Sequence, residues 1–229
     1  MERVALKEGK IPVLVFAPHG FDGNDENTSL IASSIAKEIG AYAVINKGWE
    51  RSDVVDCYSD KADCNNVKHC HEEVVKDEIL DPIFRYISKI KKNFGTVFFY
   101  TIHGMSDKHR DKVKDKMDIV VGFGDGDPPS YTMDIWRKNF FISKLNLLGI
   151  NTYEGKSGGS MSGWNKNNMN QLFRKWYLDY NVQSLQIEIT HELRSDKTMA
   201  LVTSDYIATT ISELIHITSF NTHENFKKY

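Results

Sequence analysis

Cysteine is scarce in this chain: three in 229 residues, Cys57, Cys64 and Cys70. Three thiols build no full disulfide framework, so the fold has to rest on burial. Proline is almost as rare, at five, and no Pro- or Gly-dense linker divides the chain. No charge of one sign dominates. Lys and Arg number 29 against 31 Asp and Glu, a net −2. That balance excludes capture of nucleic acid by bulk charge. No apolar run approaches the roughly 20 residues that span a bilayer. Met1-Glu2-Arg3 opens a polar segment where a secretory leader would need an apolar one. The expectation is a cytoplasmic protein with no nucleic-acid or membrane partner. No nucleophile elbow or Walker loop is evident. Gly155-Lys156-Ser157-Gly158-Gly159 spells Gly-x-Ser-x-Gly only inside a Gly/Ser/Asn-rich loop, not at a strand-to-helix turn, and Gly158-Gly159 lacks the Walker spacing.

The remainder is ordinary for a globular protein: 41% hydrophobic and 26% charged. The length suits one domain over residues 1–229. The dense run from Lys108 to Lys116 mixes signs and reads as a solvated face.

Two histidines stand out. Val13-Leu14-Val15-Phe16-Ala17-Pro18 ends in His19-Gly20, and Val97-Phe98-Phe99-Tyr100-Thr101-Ile102 ends in His103-Gly104. Both runs are rich in β-branched and aromatic residues and read as buried strands. Ligands collect at the carboxyl ends of strands in such sheets. Two imidazoles delivered to that edge could bind one metal. The loop Asp22-Gly23-Asn24-Asp25-Glu26 offers a carboxylate from Asp22, Asp25 or Glu26. His₂ plus carboxylate with an open fourth position is the ligand set of a hydrolytic zinc site. Mn²⁺, Co²⁺ or Ni²⁺ would also suit it. Glycine after each histidine lets the chain turn and leaves room beside an ion.

The pattern places strand 12–17, then a helix opening at Asn27 or Thr28 and ending at Gly40, then strand 41–46. This βαβ opening argues for a mainly parallel α/β sheet. Residues 47–71 are polar and irregular. A helix over 72–92 carries Pro82 as a kink or break. Further strands fall at 97–102, 118–123, 150–153 and 184–189. Further helices fall at 131–148, 168–179 and 204–217. Residues 155–168, rich in Gly, Ser and Asn, read as an exposed, lid-like loop.

Glu188 alternates with apolar residues in Leu185-Gln186-Ile187-Glu188-Ile189. It lies either in solvent on an edge strand or at a strand end facing the metal, where it could act as general base. Cys57, Cys64, His69, Cys70 and His71 cluster in sequence, but no Cys-x₂-Cys pair occurs, so buried thiols are the simpler reading.

In order, the landmarks resemble the N-formylglutamate amidohydrolase family and the wider zinc-carboxypeptidase-like and aspartoacylase-like hydrolases. The matching stretches are Ala17-Pro18-His19-Gly20, Arg51-Ser52-Asp53 with Asp63-Cys64-Asn65-Asn66, Ile102-His103-Gly104-Met105, Asp118-Ile119-Val120-Val121-Gly122 and Gln186-Ile187-Glu188-Ile189. They span about residues 12–194. The resemblance implies a single-domain, three-layer α/β/α sandwich around a mixed, mainly parallel sheet. It implies one zinc ion held by His19, His103 and an acid of the 22–26 loop. In a related branch that acid lies three residues before a helix-opening Thr, which selects Asp25 ahead of Thr28. Glu188 matches the catalytic glutamate. Arg51 and Asn65 match substrate-orienting positions.

Two departures stand out. Asn66 occupies the place of an Arg that grips a substrate carboxylate in the family. His191 stands where an Arg often follows the glutamate strand, with Arg194 nearby but out of register.

The expected function is a zinc-dependent amidohydrolase. It would cleave a C–N bond of a small acyl amino acid or short peptide, with metal-activated water and Glu188 as base. The alternative is a metal-independent binding module on the same fold. Whether copies associate into a homo-oligomer is left open by the sequence.

Overall fold

The computed structural model describes residues 3–20, 25–47, 64–65, 75–110, 116–176 and 178–225. The strands are β1 (Val4–Lys7), β2 (Val13–Ala17), β3 (Tyr42–Asn46), β4 (Val97–Met105), β5 (Ile119–Gly122), β6 (Thr152–Glu154) and β7 (Val182–Thr190). They form one sheet in the order β1-β3-β2-β4-β7-β5-β6. β2, β3, β4 and β7 run parallel, whereas β1 on β3 and β5 on β7 pair antiparallel. The sheet is thus mixed and mainly parallel.

Helices cover both faces because the strands are apolar on both. Val13, Val15 and Ala17 pack under α1 (Thr28–Ile39), α3 (Ile135–Leu147) and α4 (Lys197–Asn225), against Ile31, Ile35, Phe141, Leu145, Ile207 and Ile211. Leu14, Phe16 and Phe99 face the other way, toward Ile83, Ile87 and Ile90 of α2 (Asp81–Phe94). Those isoleucines recur at helical spacing and so share one stripe. The result is the three-layer α/β/α sandwich. Among the described residues, no helix is long and apolar enough to cross a membrane.

Several boundaries differ from the sequence pattern. β4 runs on through His103 and Gly104 to Met105, so the second histidine lies within a strand and not at its end. β7 extends to Thr190 and is central, which excludes the edge-strand alternative for Glu188. β1 went unread because it is four residues on an edge. Helical backbone runs on from a π-helical turn at Lys76–Leu80 into α2, with Leu80 and Asp81 both in right-handed helical conformation. Pro82 stands just after the change from π to α, the break the sequence placed there. Met169–Gln171 and the π-helical Leu172–Trp176 replace the regular helix expected over 168–179.

The 155–168 segment is no free lid. A Cβ on Gly122 would lie 2.4 Å from the Met161 carbonyl. Gly124 N–H donates to Ser162 O at 2.7 Å, and Trp164 Nε1 donates to Pro128 O at 2.8 Å. The segment is bonded to the turn after β5.

Candidate metal centre

His19 follows β2, and His103 lies near the end of the adjacent parallel strand β4. Neighbouring strands are close to 5 Å apart, and the two rings sit edge to face with centroids 5.6 Å apart. The loop between β2 and α1 brings Asp25 to both. Asp25 Oδ2 lies 3.3 Å from His19 Nδ1 and 3.9 Å from His103 Nδ1. One ligand atom from each residue fits within 4.8 Å of the others. Donors of a tetrahedral zinc ion, with bonds near 2.0–2.2 Å, sit about 3.3 Å apart. The set therefore fits a metal ion in spacing and in donor chemistry.

The loop geometry explains why Asp25 is presented. Asp25 has φ 44° and Asn27 φ 64°, left-handed conformations that Asp and Asn tolerate better than most residues. Thr28 opens α1, and its hydroxyl donates to Asp25 O at 2.8 Å and reaches His19 O at 3.3 Å. One side chain thus ties the backbones of two candidate ligands together. Asn27 does not cap the helix. Its Nδ2 donates to Arg194 O at 2.7 Å. Glu26 is exposed and lies outside the His19, Asp25 and His103 cluster. Asp22 lies outside the described residues.

Glu188 is directly opposite His103 in the β4–β7 ladder and only 9% exposed. Burial, reinforced by Asp25, pushes its carboxyl up to about 8. Burial also works on Asp25, but there it is outweighed. The His19 hydrogen bond, the two histidines and the Gly104 N–H hold Asp25 below the usual carboxylate range. One carboxyl is thus held low and its neighbour pushed up within the same site.

Arg194 was undervalued by the sequence. It is buried, and its guanidinium donates to three backbone carbonyls: Ile189 at 3.2 Å, Glu26 at 2.9 Å and Met105 at 3.4 Å. Those carbonyls belong to the ends of β7 and β4 and to the Asp25 loop. The guanidinium therefore clamps the three pieces of backbone that carry Glu188, His103 and Asp25. A Cβ on Gly104 would lie 2.5–2.7 Å from that guanidinium. Gly104 makes room for Arg194, which corrects the reading that it makes room for an ion. Gly20, at φ 131°, does turn the chain, and it packs on Thr28 and Ser29 of α1. His191 is exposed, 3.7 Å from Asp107.

Asn65 is held at its carbonyl, which accepts from Met169 N–H at 3.0 Å. Arg51 and Asn66 lie outside the described residues. So do Cys57, His69, Cys70 and His71. Cys64 is fully buried in the core beside Asn46, the fate expected of a small apolar thiol. A cleft of about 570 Å³ opens between the 128–130 turn and the 158–166 segment, lined by Pro128, Pro129, Trp164, Lys166 and Lys175.

No family model and no curated protein matches the chain. Solved structures do match it. N-formylglutamate amidohydrolase from Ralstonia eutropha JMP134 superposes with TM-score 0.61 at 11% identity, over 96% of this chain and 98% of that one. Bacteriophage poly-gamma-glutamate hydrolase gives TM-score 0.60 at 14% identity, over 93% and 89%. A metallo-carboxypeptidase from Pseudomonas aeruginosa gives 0.51 at 9% identity, over 93% of this chain and 60% of that one. The chain has the fold of these proteins, as the resemblance implied.

Proposed function

We propose that this protein is a zinc-dependent hydrolase of amide C–N bonds, acting on an N-acyl amino acid or a short peptide. The observation that carries the reading is the convergence of His19, Asp25 and His103 beside Glu188. The names of the structural neighbours, an amidohydrolase, a poly-gamma-glutamate hydrolase and a metallo-carboxypeptidase, support it.

His19, Asp25 and His103 would hold the Zn²⁺ ion. When bound, it polarises the amide carbonyl and lowers the pKa of a water at its open position. Glu188 takes a proton from the attacking water and later gives it to the leaving amine. A carboxyl with a raised pKa suits both halves of that shuttle. Asn65 and Arg51 orient the substrate in this scheme.

The test pairs metal content with turnover. Wild type and His103→Ala are purified without chelator, measured by elemental mass spectrometry and screened on N-acyl amino acids and γ-glutamyl peptides. About one zinc per chain in wild type, almost none in the variant, and hydrolysis only by the former are expected. Equal metal in both, or a wild type that takes up no added zinc, would overturn the reading.

A further inference from the structure

We propose that Gln186 and Asn168 are positioning residues that fix the carboxylate of Glu188. This inference rests on the reading of Glu188 as the general base. Residues 184, 186 and 188 share one face of β7 by strand alternation, and Ser184, Gln186 and Glu188 are all buried there. Gln186 Nε2 donates to Glu188 Oε1 at 2.5 Å. Gln186 Oε1 accepts from Asn168 Nδ2 at 2.6 Å. Asn168 Oδ1 in turn accepts from Asn170, at 2.9 Å from its backbone N–H and 3.0 Å from Nδ2. Asn170 is anchored to the sheet through Thr101 Oγ1 at 2.9 Å and through the Ser184 hydroxyl.

Each amide in this chain donates toward Glu188. The direction is fixed at the Asn170 end by a backbone N–H that donates to Asn168 Oδ1, which leaves Asn168 and then Gln186 to turn an N–H toward Glu188. Hydrogen bonds aligned in this way polarise one another. Gln186 has both ends of its amide engaged, so it cannot rotate without breaking a buried bond. With Oε1 committed to Gln186, Oε2 is the oxygen available to the attacking water. The chain begins at the helical turn after the 158–168 segment, so that segment's anchoring reaches the carboxylate through two side chains.

The test is a double-mutant cycle of Gln186→Met with Glu188→Ala, read in two ways. Asn168→Asp, which keeps the acceptor for Asn170 and removes the donor to Gln186, is the second variant. In hydrolysis, Gln186→Met is expected to lower kcat at least about tenfold, with KM within about twofold and zinc per chain unchanged. Asn168→Asp is expected to lose several-fold. In the Glu188→Ala background, Gln186→Met is expected to change the residual rate no further. Equal fractional losses in both backgrounds, or a raised KM at constant kcat, would overturn the proposal. The second readout is urea unfolding of the zinc-free proteins. The midpoint shift from Gln186→Met is expected to be larger with Glu188 present than in the Glu188→Ala background, and additive shifts would overturn the proposal. A wild type inactive on every amide defeats the hydrolase reading alone, because the unfolding cycle still decides the coupling.

Discussion

Over residues 100–103 of β4 and 184–190 of β7, the two faces of the sheet are equally buried and chemically opposite. On one, Tyr100, Ile102, Leu185, Ile187 and Ile189 pack into the larger core cluster. On the other, Thr101, His103, Ser184, Gln186, Glu188 and Thr190 stand at 9% exposure or less. The same backbone ladder supports both sets. An apolar side chain at each of the six polar positions would be the cheaper filling, since buried polar groups stabilise only when fully bonded. The difference teaches that one face holds the fold together and the other is held by it. Substitutions should divide the same way.

Glu188→Gln should have the largest effect. Hydrolysis is expected to fall about 10²–10⁴-fold. The zinc-free protein should unfold at the same temperature or higher, because burial disfavours the charged form of the Glu188 carboxyl and the amide of equal size is never charged. A rate near wild type would break the comparison. Ile187→Ala, one residue away on the opposite face, should do the reverse. A loss of about 2–5 kcal/mol in unfolding free energy is expected, with about one zinc per chain retained. Loss of metal in a variant that stays folded would show that the faces are not separable.

Gly104→Ala tests the clamp between the faces. Its Cβ would displace the Arg194 guanidinium, at a cost of about 1–3 kcal/mol. Zinc should also be lost to a competing chelator more readily than from wild type. Unchanged zinc retention would reduce Arg194 to a packing role. Thr28→Val is the mildest. It removes the hydroxyl that bonds the carbonyls of Asp25 and His19. About 1 kcal/mol of stability and a few-fold of zinc affinity are the expected losses, read by urea unfolding and metal titration.

Much of the candidate centre was legible because its parts are local patterns. An apolar run ending in His-Gly and a Glu inside an apolar strand are each visible in a few residues, whereas the residues alone left Asp22, Asp25 and Glu26 open and only the family resemblance selected Asp25. The α/β class followed from the same runs. What stayed hidden depends on distant partners. Arg194 and Asn27 meet across 167 residues, so nothing near Asn27 announces that its side chain leaves the helix uncapped. Gln186 reads as one more strand residue until Asn168 is seen above it. Gly104 follows a histidine, which suggested metal chemistry, yet its neighbour is a guanidinium from another element. Length failed for a related reason. β4 and β7 continue past their apolar stretches because each supplies the other's ladder out to Met105 and Thr190, which no single segment can signal.

The sheet order has a consequence for the timing of assembly. β7 is made after every other strand, yet it lies between β4 and β5. Until residues 182–190 leave the ribosome, the chain can hold only two half-sheets, β1-β3-β2-β4 and β5-β6. Each has an open edge where β7 will sit, and such edges invite pairing with other chains. His19 and His103 are synthesised early, on one half-sheet, and wait for the strand that brings Glu188. That strand also closes the gap. A nascent chain therefore gains Glu188 and covers the facing edges of β4 and β5 in one event, and a chain stopped before residue 182 would be prone to aggregation as well as lacking the proposed base.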